Sequence, residues 1–160
     1  MRTSFTFSRT PDVVYGAGAL AKVGSLAARR GKTALVVTGG SSLERSGKWD
    51  ECLRGLRDAG IGSRRHQIAA EPSPKTVDEG VAAARAGNAD VVIAVGGGSV
   101  IDAGKAIAAM TPVGEPVADY LEGVGSKTHP GCTLPLIAVP TTAGTGSEAT
   151  KNAVISEVGP

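Results

Sequence analysis

Aromatic residues are scarce in this chain of 160 residues, since Phe, Trp and Tyr together make up 3%. A buried core must therefore be built from Ala, Val, Ile and Leu, and a hydrophobic fraction of 41% is enough to form one. The formal net charge is only +2, and no basic stretch is interleaved with aromatic residues. This charge pattern argues against nucleic acid as a partner.

Cysteines and long apolar runs are also few. Cys52 and Cys132 form no CxxC pair and have no histidine at metal-ligand spacing, which favours two free thiols in a reducing compartment. No apolar run approaches the length of a membrane span, and residues 1–16 contain no apolar signal-peptide core. We therefore expect a soluble cytoplasmic protein without a membrane partner, with residues 1–160 forming one domain.

Apolar runs alternate with segments of helical periodicity along the chain. Strands are predicted at 33–38, 63–68, 90–95 and 134–139, and helices at 46–59, 74–86 and 100–110. Ser73 and Pro74 mark the expected start of the second helix, and 111–133 is expected to be a long loop with about one helical turn. The pattern predicts an α/β fold, a Rossmann-like parallel sheet with helices on both faces.

Three loops that contain glycine follow predicted strands: the first loop (39–42), the glycine loop (96–99) and the hydroxyl loop (141–147). Ligands bind beyond the carboxyl ends of the strands in an open parallel sheet. The glycine loop joins a strand directly to a helix, whose free N–H groups attract an anion such as a pyrophosphate. Asp102 is placed to cap the helix or order the loop, and Lys105 is expected near the same anion. A tight turn without a ligand is the alternative for this loop alone.

The generic nucleotide-binding patterns add little. The P-loop pattern fails, because five residues separate Gly98 from Gly104 and Ala106 replaces the required Ser or Thr. The pattern G-x-G-x-x-G/A occurs at 16–21 and 144–149, but neither copy has the expected acidic residue after a second strand. We interpret 16–21 as a turn from a strand into a helix.

The hydroxyl loop is more informative, because it carries four hydroxyl side chains and two glycines directly after a buried strand. Hydroxyls can hydrogen-bond phosphate and ribose, and glycines let a loop wrap around a ligand. A purely structural loop seldom needs so many hydroxyls, which favours a binding loop.

Two long motifs resemble those of the iron-containing alcohol dehydrogenase family. Residues 94–105 (AVGGGSVIDAGK) resemble its GGGSxxDxxK loop, and 140–148 with the apolar run 153–155 resembles its PTTxGTGSE segment and the strand behind it. The resemblance implies a cofactor site in which each group has a role: Gly96, Gly97, Gly98 and Ser99 hold the pyrophosphate with support from Asp102; Thr141, Thr142, Thr145 and Ser147 contact the phosphates and the adenine-ribose side; Asn152 faces the nicotinamide; and Gly39, Gly40 and Ser41 lie near the adenosine ribose.

The resemblance also bears on the choice of cofactor. Many NAD-preferring members have Asp at the position of Gly39, where it binds the 2′-hydroxyl and repels a 2′-phosphate. Gly39 removes that repulsion, so NADP is permitted as well as NAD. Lys32, Arg45 and Lys48 are conceivable phosphate partners, although each is more simply interpreted as a surface residue.

The family's metal, Fe²⁺ or Zn²⁺, is held by one Asp and three His of a helical second domain downstream of the hydroxyl loop. His66 and His129 align with none of those ligands, so neither a metal ligand nor a catalytic residue is expected within 1–160. The chain is therefore expected to bind NAD or NADP without turning over alcohol by itself. In the full-length enzyme, the resemblance implies a small alcohol or aldehyde as substrate and admits a homodimer.

Other interpretations stay open from the sequence. The same two-domain fold serves glycerol dehydrogenases, dehydroquinate synthase-like cyclases and maleylacetate reductase-like enzymes, which reduce an unsaturated keto acid. Gly98-Ser99 and the residues 145–148 favour the alcohol dehydrogenase branch. In a different functional class, the chain would be a nucleotide-binding domain without catalysis.

Overall fold

A computed structural model of the chain describes residues 11–156. Residues 1–10, part of the segment considered for a signal peptide, and residues 157–160 lie outside the described part. Four strands within it are β1 (Thr33–Thr38), β2 (Gly62–Gln67), β3 (Val91–Gly96) and β4 (Leu136–Pro140). They form one parallel sheet in the order β2-β1-β3-β4.

Five α-helices in residues 11–156 connect or flank these strands: α1 (Val23–Ala28), α2 (Ser42–Arg45), α3 (Lys48–Asp58), α4 (Pro74–Ala86) and α5 (Gly98–Val113). Shorter 3₁₀ turns lie at Ala19–Lys22, Val117–Tyr120 and Ser147–Ala149. None of the helices in this part of the chain has the length and apolarity of a membrane span.

The sheet is covered on both faces, as the apolar strands predict. Leu35 and Val37 of β1 pack on one side in a cluster that includes residues of α4 and α5. Ala34 and Val36, which point to the opposite face, pack with residues of α1 and α3. The predicted fold class is confirmed. The strand predicted at 63–68 is observed as β2, an edge strand whose polar sequence leaves most of it exposed.

Local sequence signals locate several element ends. Helix α4 starts where predicted, with the Ser73 hydroxyl accepting a hydrogen bond from the N–H of Thr76 and the Thr76 hydroxyl accepting one from the N–H of Ser73. The predicted helix 46–59 is shorter at its start, because Gly47 in the left-handed conformation separates α2 from α3. The turn predicted at 16–21 leads into a 3₁₀ helix after Gly18, which also has positive φ.

Two further predicted segments differ in the structure. Helix α5 begins at Gly98, so the end of the glycine loop is its first turn, and the helix continues to Val113 inside the predicted loop 111–133. The apolar run 153–155 is not a strand; Ala153 and Ile155 instead pack against the core, and the N–H of Ser156 donates to the carbonyl of Pro72. A strand requires a continuous row of backbone partners, and a single hydrogen bond to Pro72 does not supply one.

The order of the strands creates a crevice at one edge of the sheet. After β1 the chain continues to β2 on one side, and β3 returns to the other side of β1. The loops that follow β1 and β3 therefore leave adjacent strands in opposite directions. Such a point, at the carboxyl ends of the strands, is where open α/β sheets bind ligands.

Candidate functional site

A cleft of about 400 Å³ lies at this carboxyl edge of the sheet. Gly39 and Ser42 line it from the chain after β1, Gly96 and Gly97 from the glycine loop, and Thr141 and Thr142 from the hydroxyl loop. The structure thus brings together the three loops that the sequence singled out. A cleft of this volume is within the usual range for small-molecule sites.

The glycines allow these loops to approach one another closely. A Cβ at Gly96 would lie 2.6 Å from Val100 Cβ, so a side chain would clash with the first turn of α5. A Cβ at Gly98 would lie 3.0 Å from Thr145 Cγ2 and 3.4 Å from Ser147 Oγ. A side chain at Gly98 would therefore crowd the contact between the hydroxyl loop and the start of α5.

The N-terminus of α5 is open toward the cleft. Gly97 precedes the helix in an extended conformation and makes no side-chain capping bond. The first N–H groups of a helix have no partner within it, and the helix dipole gives that end a partial positive charge. These N–H groups are available to an anion bound in the cleft.

The hydroxyl loop is held beside this helix end. The N–H of Thr141 donates to the carbonyl of Gly96 at 2.9 Å, which continues the pairing of β4 with β3. The side chains of Thr141, Thr142 and Thr145 are exposed, and Ser147 is half-buried. Three of the four hydroxyl residues are therefore open to a ligand.

Asp102 and Lys105 form an ion pair that differs from the predicted arrangement. Lys105 Nζ lies 2.9 Å from Asp102 Oδ1, and the two side chains are only 9% and 10% exposed. The ammonium also donates to Thr150 Oγ1 at 2.9 Å and to the carbonyl oxygen of Asn152 at 2.6 Å. All three of its donors are thereby used within the protein, so Lys105 has none left for an anion in this structure. Instead, the pair ties α5 to the chain that follows the hydroxyl loop.

Glu71 joins the site although no sequence signal indicated it. The Ser99 hydroxyl donates to Glu71 Oε1 at 2.7 Å, and Glu71 lies in the loop between β2 and α4. The two residues are 28 positions apart, and 68–73 carries no recognisable binding motif. Only the packing of α4 beside α5 brings the carboxylate to the glycine loop.

Of the basic residues considered as phosphate partners, Lys48 lines the cleft. Lys48 pairs with Glu51 at 2.7 Å, while the Arg45 guanidinium donates to the hydroxyl of Ser41. Lys32 instead precedes β1, at the opposite end of that strand, and its N–H donates to Asp90. Lys32 is therefore excluded from the site. Gly40 is exposed beside Ser41.

Arg65 of β2 supports the wall of the cleft from behind. Its Nε donates to the buried Thr38 hydroxyl at 2.7 Å, and its guanidinium lies 4.6 Å from the centre of the Trp49 ring. Arg65 also pairs with Glu44 at 2.5 Å, and this hydrogen bond holds the pKa of Glu44 below its usual value. These contacts connect α2 and α3 to the sheet and set the position of the first loop.

Both histidines are occupied by contacts with backbone carbonyls. His66 Nε2 lies 3.2 Å from the carbonyl of Thr76, and His129 Nε2 lies 3.0 Å from that of Ala109. Both cysteines are free thiols, as predicted, and burial raises the pKa of Cys52 to about 11. In residues 11–156, no group of three or more His, Cys, Asp or Glu side chains could hold a metal ion.

Residues 10–159 match the model of a family described as iron-containing alcohol dehydrogenase. The chain is 38% identical over 156 residues to a probable NADH-dependent butanol dehydrogenase of Bacillus subtilis, covering 96% of this chain and 39% of that protein. It is 34% identical over 154 residues to an NADPH-dependent butanol dehydrogenase of Clostridium saccharobutylicum, covering 96% of this chain and 38% of the relative.

A solved structure, that of an NADH-dependent butanol dehydrogenase from Thermotoga maritima, has the same fold. It superimposes with a TM-score of 0.88 at 30% identity, over 96% of this chain and 38% of the other. The chain thus spans about two fifths of the length of the proteins that it matches.

Proposed function

The chain belongs to the iron-containing alcohol dehydrogenase family, and from this premise we propose that it is the dinucleotide-binding domain of an NAD(P)-dependent alcohol dehydrogenase. The complete enzyme would transfer hydride between a small alcohol or aldehyde and the cofactor. The observation that carries the proposal is the open N-terminus of α5, which faces the cleft at Gly97 beside the exposed Thr141 and Thr142 hydroxyls. This arrangement suits a pyrophosphate group.

In the proposed complex each loop has a separate task. The first N–H groups of α5, from Gly98 and Ser99, hold the pyrophosphate. The Thr142 and Thr145 hydroxyls donate to its remaining oxygens, and Gly39 leaves room for the adenosine ribose. Lys105 fixes the backbone at Asn152, so that this residue can face the nicotinamide. The bound dinucleotide itself carries the hydride, while the protein supplies orientation.

The metal that gives the family its name has no ligand set among residues 11–156. We propose that Fe²⁺ or Zn²⁺ is held by residues outside this chain, in a protein of the relatives' length. The 160-residue chain should then bind cofactor without oxidising alcohol. Formation of NADH or NADPH by the purified chain in the presence of an alcohol would contradict this proposal.

Titration of the purified chain with NADH and NADPH tests the binding function. We expect a saturable change in nicotinamide fluorescence, either quenching or enhancement. ADP should compete far more strongly than adenosine, because adenosine lacks the phosphates that α5 would hold. If neither reduced cofactor binds at millimolar concentration to a chain that is folded by circular dichroism, the proposed function is wrong.

Replacing Gly39 with Asp should shift the cofactor preference toward NADH. Gly39 has no positive φ, and its Cβ would lie 3.4 Å from Val100 Cγ2, so a side chain fits with a small adjustment. The carboxylate would repel a 2′-phosphate and accept a hydrogen bond from a 2′-hydroxyl. We expect the ratio of the NADPH to the NADH dissociation constant to rise by about tenfold or more, the effect of one like-charge contact in a partly screened cleft.

Gly39→Asn is the matched control, because the Asn side chain has nearly the same size as that of Asp but no charge. The ratio should rise much less in Gly39→Asn than in Gly39→Asp. Equal ratios in the two variants would show that a charge at position 39 does not select against the 2′-phosphate. A strong NADH preference in the unmodified chain would show that residues other than position 39 set the preference.

A further inference from the structure

The Ser99 hydroxyl is shared between the proposed cofactor site and Glu71. Ser99 is the second residue of α5, at the helix end that faces the cleft, and its Oγ donates to Glu71 Oε1 at 2.7 Å. Glu71 is an exposed residue, whereas the next residue, Pro72, is buried. The contact therefore joins the solvent-exposed carboxylate to the start of the helix.

The backbone that carries Glu71 is held in place from its C-terminal side. The carbonyl of Pro72 accepts a hydrogen bond from the N–H of Ser156 at 2.8 Å, and Ser73 forms the cap of α4. Because the next two residues are anchored, the carboxylate stays within reach of Ser99. The hydrogen bond thus follows from the anchored backbone of the loop, and forming it does not require the whole loop to move.

A serine hydroxyl has a single proton to donate. While Ser99 Oγ donates to Glu71, only its lone pairs remain for other partners, and a phosphate oxygen at neutral pH is mainly an acceptor. Ser99 therefore cannot donate to Glu71 and to a pyrophosphate oxygen at the same time. In addition, an ionised Glu71 places a negative charge beside the helix end that would attract the pyrophosphate.

We propose that Glu71 is a built-in competitor of the cofactor pyrophosphate. In the free protein its carboxylate occupies the Ser99 hydroxyl at the start of α5. When the dinucleotide binds, the hydroxyl turns from Glu71 to the phosphate, and the carboxylate is left to solvent. Glu71 thereby weakens cofactor binding and speeds its release, a step that limits the turnover of many enzymes. This inference rests on the proposed dinucleotide-binding function.

Two substitutions of Glu71 separate the charge from the hydrogen bond. Glu71→Gln removes the charge but keeps an oxygen that can accept from Ser99, and Glu71→Ala removes both. We expect Glu71→Ala to tighten NADH and ADP binding about three- to tenfold, the range for one exposed charge or one hydrogen bond, with slower dissociation in stopped flow. Glu71→Gln should give only the part of this gain that comes from removing the charge, and this part should depend on the salt concentration. Adenosine, which has no phosphate, should bind equally to all three proteins.

Controls make the outcome specific to this contact. Glu79→Gln removes another exposed carboxylate, on α4, and should leave the NADH dissociation constant within twofold of the unmodified value. In a double-mutant cycle, Ser99→Ala should remove much of the gain from Glu71→Ala, because the freed hydroxyl is then absent.

The result that overturns the inference is an NADH affinity that is unchanged or weaker in Glu71→Ala and Glu71→Gln, when the unmodified chain binds NADH and all melting temperatures agree. In that case the dinucleotide-binding function still stands. If neither the unmodified protein nor any variant binds NADH, NADPH or ADP, the proposed function is wrong, and so is the competitor role of Glu71.

Discussion

Replacing Lys105 with Met should lower the free energy of unfolding by about 3–5 kcal/mol, the loss expected when a buried ion pair loses one partner. The Asp102 carboxylate, which is 10% exposed in the pair, would remain buried without a cation. The Thr150 hydroxyl and the carbonyl of Asn152 would also lose their shared donor. Urea denaturation followed by circular dichroism measures the change.

Two further variants test this explanation. Adding Asp102→Asn to Lys105→Met removes the uncompensated charge and should recover part of the lost stability. Lys48→Met is the exposed counterpart, since Lys48 pairs with Glu51 but is 54% exposed, and it should change stability by less than about 1 kcal/mol. Similar losses for Lys105→Met and Lys48→Met would show that the buried pair does not stabilise the fold.

The Lys105 substitution should also weaken NADH binding, because the hydroxyl loop is followed directly by the segment that Lys105 holds. Thr150 and Asn152 would no longer be tied to α5. The dissociation constant measured at a temperature where the variant is still folded separates this effect from unfolding. ADP binding should fall less than NADH binding, since the anchored residue Asn152 is assigned to the nicotinamide end.

Replacing Gly104 with Ala should destabilise the protein by about 1–3 kcal/mol, the usual cost of overpacking. The added Cβ would lie 2.6 Å from Ala94 Cβ, a short side chain of β3 that cannot turn away. Helix α5 would have to move from the sheet, and its N-terminus would move with it from the hydroxyl loop. The loss should therefore exceed the gain of up to about 1 kcal/mol that Ala brings to a helix interior.

Gly62→Ala provides the comparison, because Gly62 has no positive φ and its nearest neighbour, the carbonyl of Lys32, would be 3.7 Å from the new Cβ. We expect its unfolding midpoint in urea to stay near that of the unmodified protein. The Gly104→Ala midpoint should be clearly lower and its NADH affinity reduced. A Gly104→Ala protein as stable as Gly62→Ala would contradict close packing of α5 on β3.

Local patterns in the sequence were sufficient to predict most of the fold. The β-branched run of β1 predicts a strand with the bounds observed, and Ser73 with Pro74 marks the start of α4. Convergence of the three loops could also be predicted, because the carboxyl ends of parallel strands meet at one edge of the sheet. These features depend on neighbouring residues or on a general property of parallel sheets.

Partners of individual side chains in the site could not be predicted in the same way. Lys105, expected beside an anion, is instead surrounded by Asp102 and by acceptors that lie 45 and 47 residues further along the chain. Glu71 meets Ser99, and Arg65 meets Thr38, through helix packing and strand pairing, which leave no pattern in their own neighbourhood.

The sequence by itself therefore determined the α/β class, the strand-to-helix glycine loop and the family, because each depends on contiguous residues. The tertiary structure determined which charged side chains face the cleft and which are paired inside the protein. That choice depends on the position of whole helices relative to the sheet, where a shift of a few ångströms decides whether an ammonium meets a carboxylate or a ligand. It is at this level that Lys105 became a structural anchor and Glu71 a neighbour of the proposed pyrophosphate site.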